Sequence, residues 1–461
     1  MTSRCHLLVV AIAIAACGLL PRPCRAAPPA RPNIIYLLAD DLGWTDVGWH
    51  QSEIKTPHLD KLAAGGAKLE QFYVQPVCSP TRAALMTGRY PMRHGLQVGV
   101  VRPFAQYGLP LEERTLPQAL KEAGYDTAIC GKWHLGHFQP EYLPTRRGFV
   151  HQYGHYNGAL DYFTHMRDGG FDWHKDDKVC RDPGYTTTLI GGAAARIIED
   201  HDTSKPLFLY VPFNAPHSPL QALPEHLKQY EGIADEKRRT YAAMVACIDD
   251  QVGHIVAALA KRKMTENTLI VFSSDNGGPT SLGATNGKLR AGKGTLYEGG
   301  VRVAAFANWP GQIRAGSVID QPLHVVDCYP TFLKLAGAKL EQKQPLDGKD
   351  MWATLTEGKP SPHEFLLLNT TPGAGALRVG DWKLVINGRN GAGGGEEAKK
   401  MVELFNLAKD PYEQTNLAAE RADKVKELQG RYDELARQAL PPKSKPKAKD
   451  FQVPKIWGEK D

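Results

Sequence analysis

The chain has 461 residues, with 56 Lys+Arg against 50 Asp+Glu, 42% hydrophobic residues, 45 Gly and 33 Pro, a composition that excludes a disordered chain, a collagen and a coiled coil. Its length allows about two to four domains of ~100–200 residues, each with its own core, which excludes a small disulfide scaffold. The formal charge of +6 sits at the two ends: Arg4, Arg22 and Arg25 stand in an acid-free leader, and the lysines from Lys443 to Lys460 face only Asp450, Glu459 and Asp461. The body between them is neutral, so nucleic acid is not the partner implied.

Met1 to Arg4, the apolar run Leu7 to Leu20 and then Pro21 and Cys24-Arg25-Ala26-Ala27 follow the charged, apolar, small-residue order of a secretory signal spanning 1–26. Export to a periplasmic, secreted or lysosome-like compartment is expected. Ile14-Ala15-Ala16-Cys17 also fits a lipoprotein cleavage site, which would anchor the chain through Cys17. No later stretch approaches ~18 consecutive apolar residues, so no transmembrane span is predicted in the mature chain. A cut after Ala26 removes Cys5, Cys17 and Cys24 and leaves Cys78, Cys130, Cys180, Cys247 and Cys328 in an oxidising compartment. That number is odd, so one thiol stays unpaired, and pairing among the last four stays open.

Short apolar runs then end abruptly in polar residues. Asn33 to Leu38 precedes Asp40-Asp41; Thr127 to Cys130 leads to Lys132 and His134; Leu207 to Val211 leads to His217; Leu269 to Phe272 precedes Asp275-Asn276. Helical spacing in Arg114 to Gly124 and Arg239 to Lys261 alternates with these strands, which predicts an α/β domain over 28–362, with a largely parallel sheet covered by helices on both faces. Sites form at the carboxyl ends of such strands, so the four polar clusters are expected in one crevice. From His363 to residue 440 the strands Ala376 to Val379 and Trp382 to Ile386, the loop Gly388 to Gly395 and a helix over Ala418 to Ala439 predict a smaller C-terminal α+β unit with an antiparallel sheet. The basic stretch 441–461 is expected to be a mobile tail, although a run of lysines can also bind a polyanion.

Asp40, Asp41, Asp275 and Asn276 offer oxygen ligands suited to a hard divalent cation, and three carboxylates in one crevice would repel one another without one. Turn or cap formation is the competing reading of either pair alone. In Pro76 to Pro91, Pro80 suits the first turn of a helix, which places Cys78 at its positive end with Arg82 one turn on. A cysteine hydrolase would want a paired histidine base, and a thiol beside oxygen ligands for a hard cation is chemically mismatched.

Cys78-Ser79-Pro80-Thr81-Arg82, followed by Thr87-Gly88-Arg89-Tyr90-Pro91 and Gly95, resembles the signature of type I sulfatases of the alkaline phosphatase superfamily. Gly131-Lys132-Trp133-His134-Leu135-Gly136, Ala215 to Gln221 and Lys293 to Gly300 match as well, and the likeness runs from Pro32 to about Leu417. Leu346 to Trp352, Gly380 to Leu384 and Leu404 to Pro411 are similar to the arylsulfatase B (N-acetylgalactosamine-4-sulfatase) subgroup. The resemblance implies an alkaline phosphatase-like fold, a large mixed and mostly parallel sheet sandwiched by helices, and hydrolysis of sulfate esters. It implies conversion of Cys78 to formylglycine by a maturation enzyme, and Ca2+ bound by Asp40, Asp41, Asp275, Asn276 and residue 78. Arg82 and His134 would hold and deprotonate the nucleophile; Lys132, His217 and Lys293 would grip the sulfate and protonate the leaving alcohol, with His217 as the acid. Asn286, Arg290, His155, Asn157 and Trp173 are candidates for contacts to the rest of a sulfated carbohydrate, in the subgroup a galactosamine 4-sulfate. Two alternatives stay open: a phosphonate or phosphate monoester hydrolase with the same nucleophile, and a silent sulfated-glycan binder with Cys78 unmodified. The oligomeric state is not assigned.

Overall fold

The structure, a computed structural model, describes residues 31–393 and 400–459. The leader 1–26 with Cys17, the end of the Gly388–Gly395 loop and residues 460–461 lie outside them.

Ten strands form the central sheet: β1 (Asn33–Ala39), β2 (Ala67–Leu69), β3 (Asp126–Lys132), β4 (His151–His155), β5 (His174–Lys175), β6 (Lys178–Val179), β7 (Leu207–Pro212), β8 (Thr268–Ser274), β9 (Ala305–Asn308) and β10 (Ser317–Ile319), in the order β10-β2-β9-β8-β1-β7-β3-β4-β5-β6. From β8 to β4 every pairing is parallel, and the antiparallel pairings lie towards the two edges. Every residue of β1, β7 and β8 is buried, as central strands covered on both faces require.

The side chains of β1 alternate between two cores. Ile34, Tyr36 and Leu38 join Ala83 to Met86, Leu116, Leu120, Phe332 and Leu333 on one face. Ile35, Leu37 and Ala39 meet Leu59, Ile190, Ala194, Ile248 and Ile255 on the other. Removing one such leucine to alanine costs about 2–5 kcal/mol. The helices start where their caps are: Thr115 and Gln118 form a capping box ahead of Leu116–Glu122, and the Asp235 side chain accepts from the Arg238 N–H at the start of Glu236–Lys261. Glu236–Lys261 is long and apolar enough to cross a membrane, yet most of its apolar face is buried against Thr186–Asp200 and the sheet.

The C-terminal unit is an antiparallel meander of β11 (Leu366–Thr370), β12 (Gly375–Val379), β13 (Trp382–Ile386) and β14 (Val402–Asn406), with the helix Ala422–Ala436 on one face. The helix begins four residues later than its apolar pattern suggests, because the Asn416 side chain accepts from both Leu404 and Ala418 N–H and holds that stretch in a turn. Leu366, Leu368, Val385 and Phe405 pack on Tyr73, Leu296 and Tyr297, so the unit shares a core with the larger part. Lys383 is buried in this seam, 2.8 Å from Glu298 Oε1 and 2.8 Å from Glu413 Oε1.

The stretch from Leu440 to Glu459, expected as a mobile tail, is laid along the larger part in the structure. Leu440 N–H donates to Met92 O and Lys443 N–H to Gly95 O, each at 2.8 Å, and Trp457 is 2% exposed. Buried Trp457 and half-buried Phe451, inside a Lys/Pro composition, supply the burial that the composition as a whole does not predict. Cys78, Cys130, Cys180, Cys247 and Cys328 are all free, so no disulfide joins the described cysteines.

Candidate active site

The four polar clusters meet at the carboxyl ends of β8, β1, β7 and β3, which are neighbours in that order. Asp40 and Asp41 follow β1, Asp275 and Asn276 follow β8, Lys132 ends β3 with His134 two residues on, and His217 lies in the loop after β7. Cys78 opens the buried helix Cys78–Thr87, which Gly88 ends in the left-handed conformation.

Cys78 Sγ is 3.4 Å from Asp40 Oδ1. Oxygen, sulfur or nitrogen atoms of Asp40, Asp41, Cys78 and His217 all lie within 4.8 Å of one another. Asn276 closes the other side, its Nδ2 donating to Asp41 Oδ1 at 2.8 Å, while its Oδ1 is buried without a hydrogen-bond partner. Asp275 Oδ1 accepts the Asp41 N–H at 3.2 Å. An oxygen-rich pocket with an orphaned buried amide oxygen fits a hard divalent cation, and the residues present are those expected.

The repulsion among the three carboxylates is also offset by side chains. Arg82 donates Nε and Nη2 to Asp275 Oδ2 at 3.1 and 2.9 Å and Nη1 to Lys132 O at 2.9 Å. The Lys132 ammonium bonds Asp40 Oδ2, and Lys293 Nζ donates to Asp41 Oδ2 at 2.7 Å. Charge balance is therefore not in itself a mark of the cation; the unsatisfied oxygen is. Burial pushes Asp41 up, but Lys293 and His217 bring it well below the usual carboxylate range. Burial and then the Asp40 charge raise Asp275 to about 6, against Arg82. Burial works against the Arg82 charge, and Tyr210, Asp275 and Asp40 more than restore it. Burial, then Asp275 and Asp40, push the Cys78 thiol far up, so the helix end does not yield a thiolate.

The two histidines are oriented by backbone carbonyls. His134 Nε2 donates to Val101 O at 3.1 Å and its Nδ1 is unpartnered; His217 Nδ1 donates to Ser218 O at 2.7 Å and its Nε2 lies 3.6 Å from Asp41 Oδ2. Burial lowers both, His217 to about 3. Asp41 and His134 both hold left-handed backbone, φ 73° and 61°, a costly conformation for residues with a Cβ. Lys293 and His217 keep 22% and 18% of their side chains exposed while the rest of the site is nearly sealed, so the crevice opens between these two.

Three positioning groups are not visible in the sequence pattern. Ser79 Oγ donates to His134 O at 2.9 Å and accepts the Val101 N–H at 3.0 Å. Gly158 lies so close to the His134 ring that a Cβ there would sit 2.5 Å from Cε1 and Nε2. The Tyr162 hydroxyl is shared between Asn214 O at 2.8 Å and His217 O at 2.7 Å. Only Ser79 carries a signal, its place inside the motif.

The five suggested substrate contacts are placed elsewhere. Asn286 spends its amide clasping its own loop, Nδ2 to Gly278 O and Ala291 O and Oδ1 from the N–H groups of Gly278 and Trp44. Arg290 stacks on Tyr297 and pairs with Glu403. His155 and Trp173 are fully buried and stacked on each other, and buried Asn157 donates to Asp172. Polar loops near a site are as often built into its walls as turned into it.

Residues 32–338 match the Sulfatase family. Arylsulfatase J of Mus musculus is 38% identical over 469 residues, covering 91% of this chain and 78% of that protein. N-acetylgalactosamine-6-sulfatase of Mus musculus is 36% identical over 384 residues, covering 78% and 71%. The crystal structure of Ps i-CgsB superposes with a TM-score of 0.83 at 35% identity, covering 89% of this chain and 94% of that one, and the same protein has been solved in complex with k-i-k-neocarrahexaose. With a family match over two thirds of the chain and its motif residues gathered in one crevice, this protein belongs to the sulfatases of the alkaline phosphatase superfamily and is a sulfuric ester hydrolase.

Proposed function

We propose that this enzyme removes O-sulfate from the end of a sulfated sugar chain, with N-acetylgalactosamine 4-sulfate as the leading substrate and aryl sulfates also accepted, using formylglycine at position 78 and Ca2+. The observation that carries this reading is the convergence on Cys78 of an oxygen-ligand pocket, three cations and two oriented imidazoles from four strand ends, the helix Cys78–Thr87 and the loop of Lys293. The names of relatives that act on N-acetylgalactosamine or bind a neocarrahexaose support a carbohydrate substrate. The reading entails a maturation enzyme that oxidises Cys78 and export of the chain through its leader, with lipid anchoring at Cys17 as the variant form.

When formed and hydrated, residue 78 supplies an oxygen nucleophile for sulfur, and Ca2+ held by Asp40, Asp41, Asp275, Asn276 and residue 78 supplies positive charge to the sulfate. Arg82 stays protonated and pinned by Asp275, so it holds the residue 78 side chain rather than acting as a base. His134 accepts the proton of residue 78 at Nδ1, the nitrogen left free by Val101 O. Lys132 and Lys293 bring two ammonium groups against the equatorial oxygens, where charge shifts during transfer. His217, fixed through Nδ1, delivers a proton from Nε2 to the departing alcohol at the open side of the crevice. Bound sulfate raises both imidazoles from their depressed values towards the range a proton carrier needs.

The test is the mass of the tryptic peptide containing residue 78, from protein co-expressed with a formylglycine-generating enzyme, together with aryl sulfate turnover with and without a Ca2+ chelator. The expected peptide is lighter by the exchange of sulfur for oxygen and the loss of two hydrogens, and turnover is lost to chelator and restored by Ca2+. Converted protein that leaves sulfate esters intact and cleaves phosphonate esters would overturn the proposal, as would full activity of Cys78→Ala.

A further inference from the structure

The lysine-rich stretch near the C-terminus is not consumed by the reaction described above, and the structure gives it a place. From Leu440 it crosses the loop that forms one wall of the active site. Leu440 N–H donates to Met92 O, Gln97 Nε2 donates to Leu440 O at 2.7 Å, and Lys443 N–H donates to Gly95 O. Phe451 then meets Phe104 edge to face, with ring centroids 6.3 Å apart, and the buried Trp457 meets His137 the same way at 5.4 Å. Trp457 Nε1 donates to Arg167 O at 2.8 Å, and Phe171 N–H donates to Lys455 O and Trp457 N–H to Phe171 O, each at 2.9 Å, closing the far end. The loop beneath is the one whose Val101 carbonyl fixes His134 and whose Pro103 carbonyl accepts from His137 Nε2 at 3.1 Å. His134 and Phe451 thus both contact the segment 101–104, which links the strap to the reaction centre.

Along this strap Lys445, Lys447, Lys449 and Lys455 are exposed, and exposed Arg102 stands on the loop itself. Among the described residues none of these four ammonium groups has an ion-pair partner; Lys447 lies over the Phe451 ring at 5.3 Å, which keeps its charge next to the strap. Backbone hydrogen bonds at Leu440 and Lys443 on one side and the aromatic contacts of Phe451 and Trp457 on the other hold lysines that would otherwise be free. A solvated tail needs no buried tryptophan, and a tail whose purpose is solubility needs no address beside the catalytic histidine.

We propose that this strap is an extended anion-binding strip, through which the enzyme holds a polysulfated carbohydrate chain while one of its sulfates is in the crevice. The proposal rests on the sulfatase reading of the site and deepens it: the substrate is a polymer or long oligomer bearing several sulfates, not an isolated sulfated sugar. Fixed lysines release counterions from such a chain on contact, and each adds affinity that falls with salt. Polymer affinity and reaction chemistry then reside in different residues and can be measured apart.

The test compares two charge-matched variants in a chain carrying Cys78→Ser, so that the probe is bound and not cleaved. One combines Lys445→Gln, Lys447→Gln, Lys449→Gln and Lys455→Gln, leaving Phe451 and Trp457 in place; the other combines Lys228→Gln, Lys263→Gln, Lys343→Gln and Lys409→Gln, exposed lysines elsewhere. Binding of fluorescently labelled chondroitin 4-sulfate and of dextran sulfate is titrated from low to physiological salt, with melting temperatures to confirm folding. The strap variant should bind both polymers at least ~10-fold more weakly, with the salt slope smaller by roughly one for each lysine in contact, while the second variant binds like the parent. Equal binding by parent and strap variant, or equal losses in the two variants, would overturn the strip. Aryl sulfate turnover by the unmutated, formylglycine-bearing protein is measured separately: its absence sinks the sulfatase mechanism and leaves the polymer binding to be judged on its own titration.

Discussion

His134, the proton acceptor in the proposed reaction, shows how a single side chain is held in place. Its backbone is left-handed, its carbonyl is tied to Ser79, its Nε2 to Val101 O, and Gly158 leaves room for its ring. His134→Ala should lower kcat by ~10²–10⁴ in an aryl sulfate assay with little change in KM, because proton transfer is lost while the cations that bind sulfate remain. Gly158→Ala should act through the same ring, lowering kcat while the melting temperature stays close to that of the parent; an unchanged kcat would mean that the ring position is not critical. Cys78, Arg82, Lys132, His134, His217 and Lys293 were legible in the sequence because motif and strand ends mark them. Gly158 and Tyr162 were not, since close approach and a shared hydroxyl leave no trace in a pattern of residue types. The misplaced contacts Asn286 and Arg290 fail for the converse reason: a polar side chain in a loop advertises nothing about whether its partners are internal.

At the scale of elements, the loop that brings Lys293 to Asp41 is fastened from behind by the C-terminal unit. Glu298 N–H donates to Glu413 Oε2 at 2.6 Å, the Tyr73 hydroxyl donates to Glu298 Oε2 at 2.8 Å, and Lys383 bridges both carboxylates. Lys383→Met leaves buried Glu413 without its counter-charge and Glu298 with Arg302 alone at 3.7 Å, and should cost about 3–5 kcal/mol of stability in urea melts. Adding Glu298→Gln and Glu413→Gln should recover much of that loss, since the penalty comes from the orphaned charges; failure to recover would show that packing of the lysine stem dominates. The central strands were legible from unbroken apolar runs, whereas the helix starts at Leu116 and Glu236 are set by the caps Thr115 and Asp235, which apolar spacing over Arg114 to Gly124 and Arg239 to Lys261 does not mark. The short strands β2, β9 and β10 were not, because three or four residues between turns carry no period, and the seam was hidden because Glu298, Lys383 and Glu413 lie far apart in sequence.

For the whole molecule, buried neutral histidines contribute to how it answers to acid. Burial, with Arg89 and Lys443 nearby, lowers His94 to about 3; burial lowers His174 to about 4, and burial with His363 lowers His324 to about 3. None of the three belongs to the reaction centre, and His324 Nδ1 already accepts the Val326 N–H, so a proton there would break a cap. Each value lies below the ~6.5 of an exposed imidazole, so the unfolded chain binds protons that the native chain refuses. Their contribution is complete above pH ~6.5 and is lost as pH falls towards 4, with each group steepening the loss by up to ~1.4 kcal/mol per pH unit where it is protonated only in the unfolded chain. Asp249 and Glu413, raised by burial to about 6 and 7, act in the opposite sense over the same window, so the histidine contribution is read as a difference: in urea melts the combined His94→Gln, His174→Gln and His324→Gln variant should lose less stability from pH 7 to pH 5 than the parent. An equal loss of stability from pH 7 to pH 5 in the variant and the parent would remove the argument.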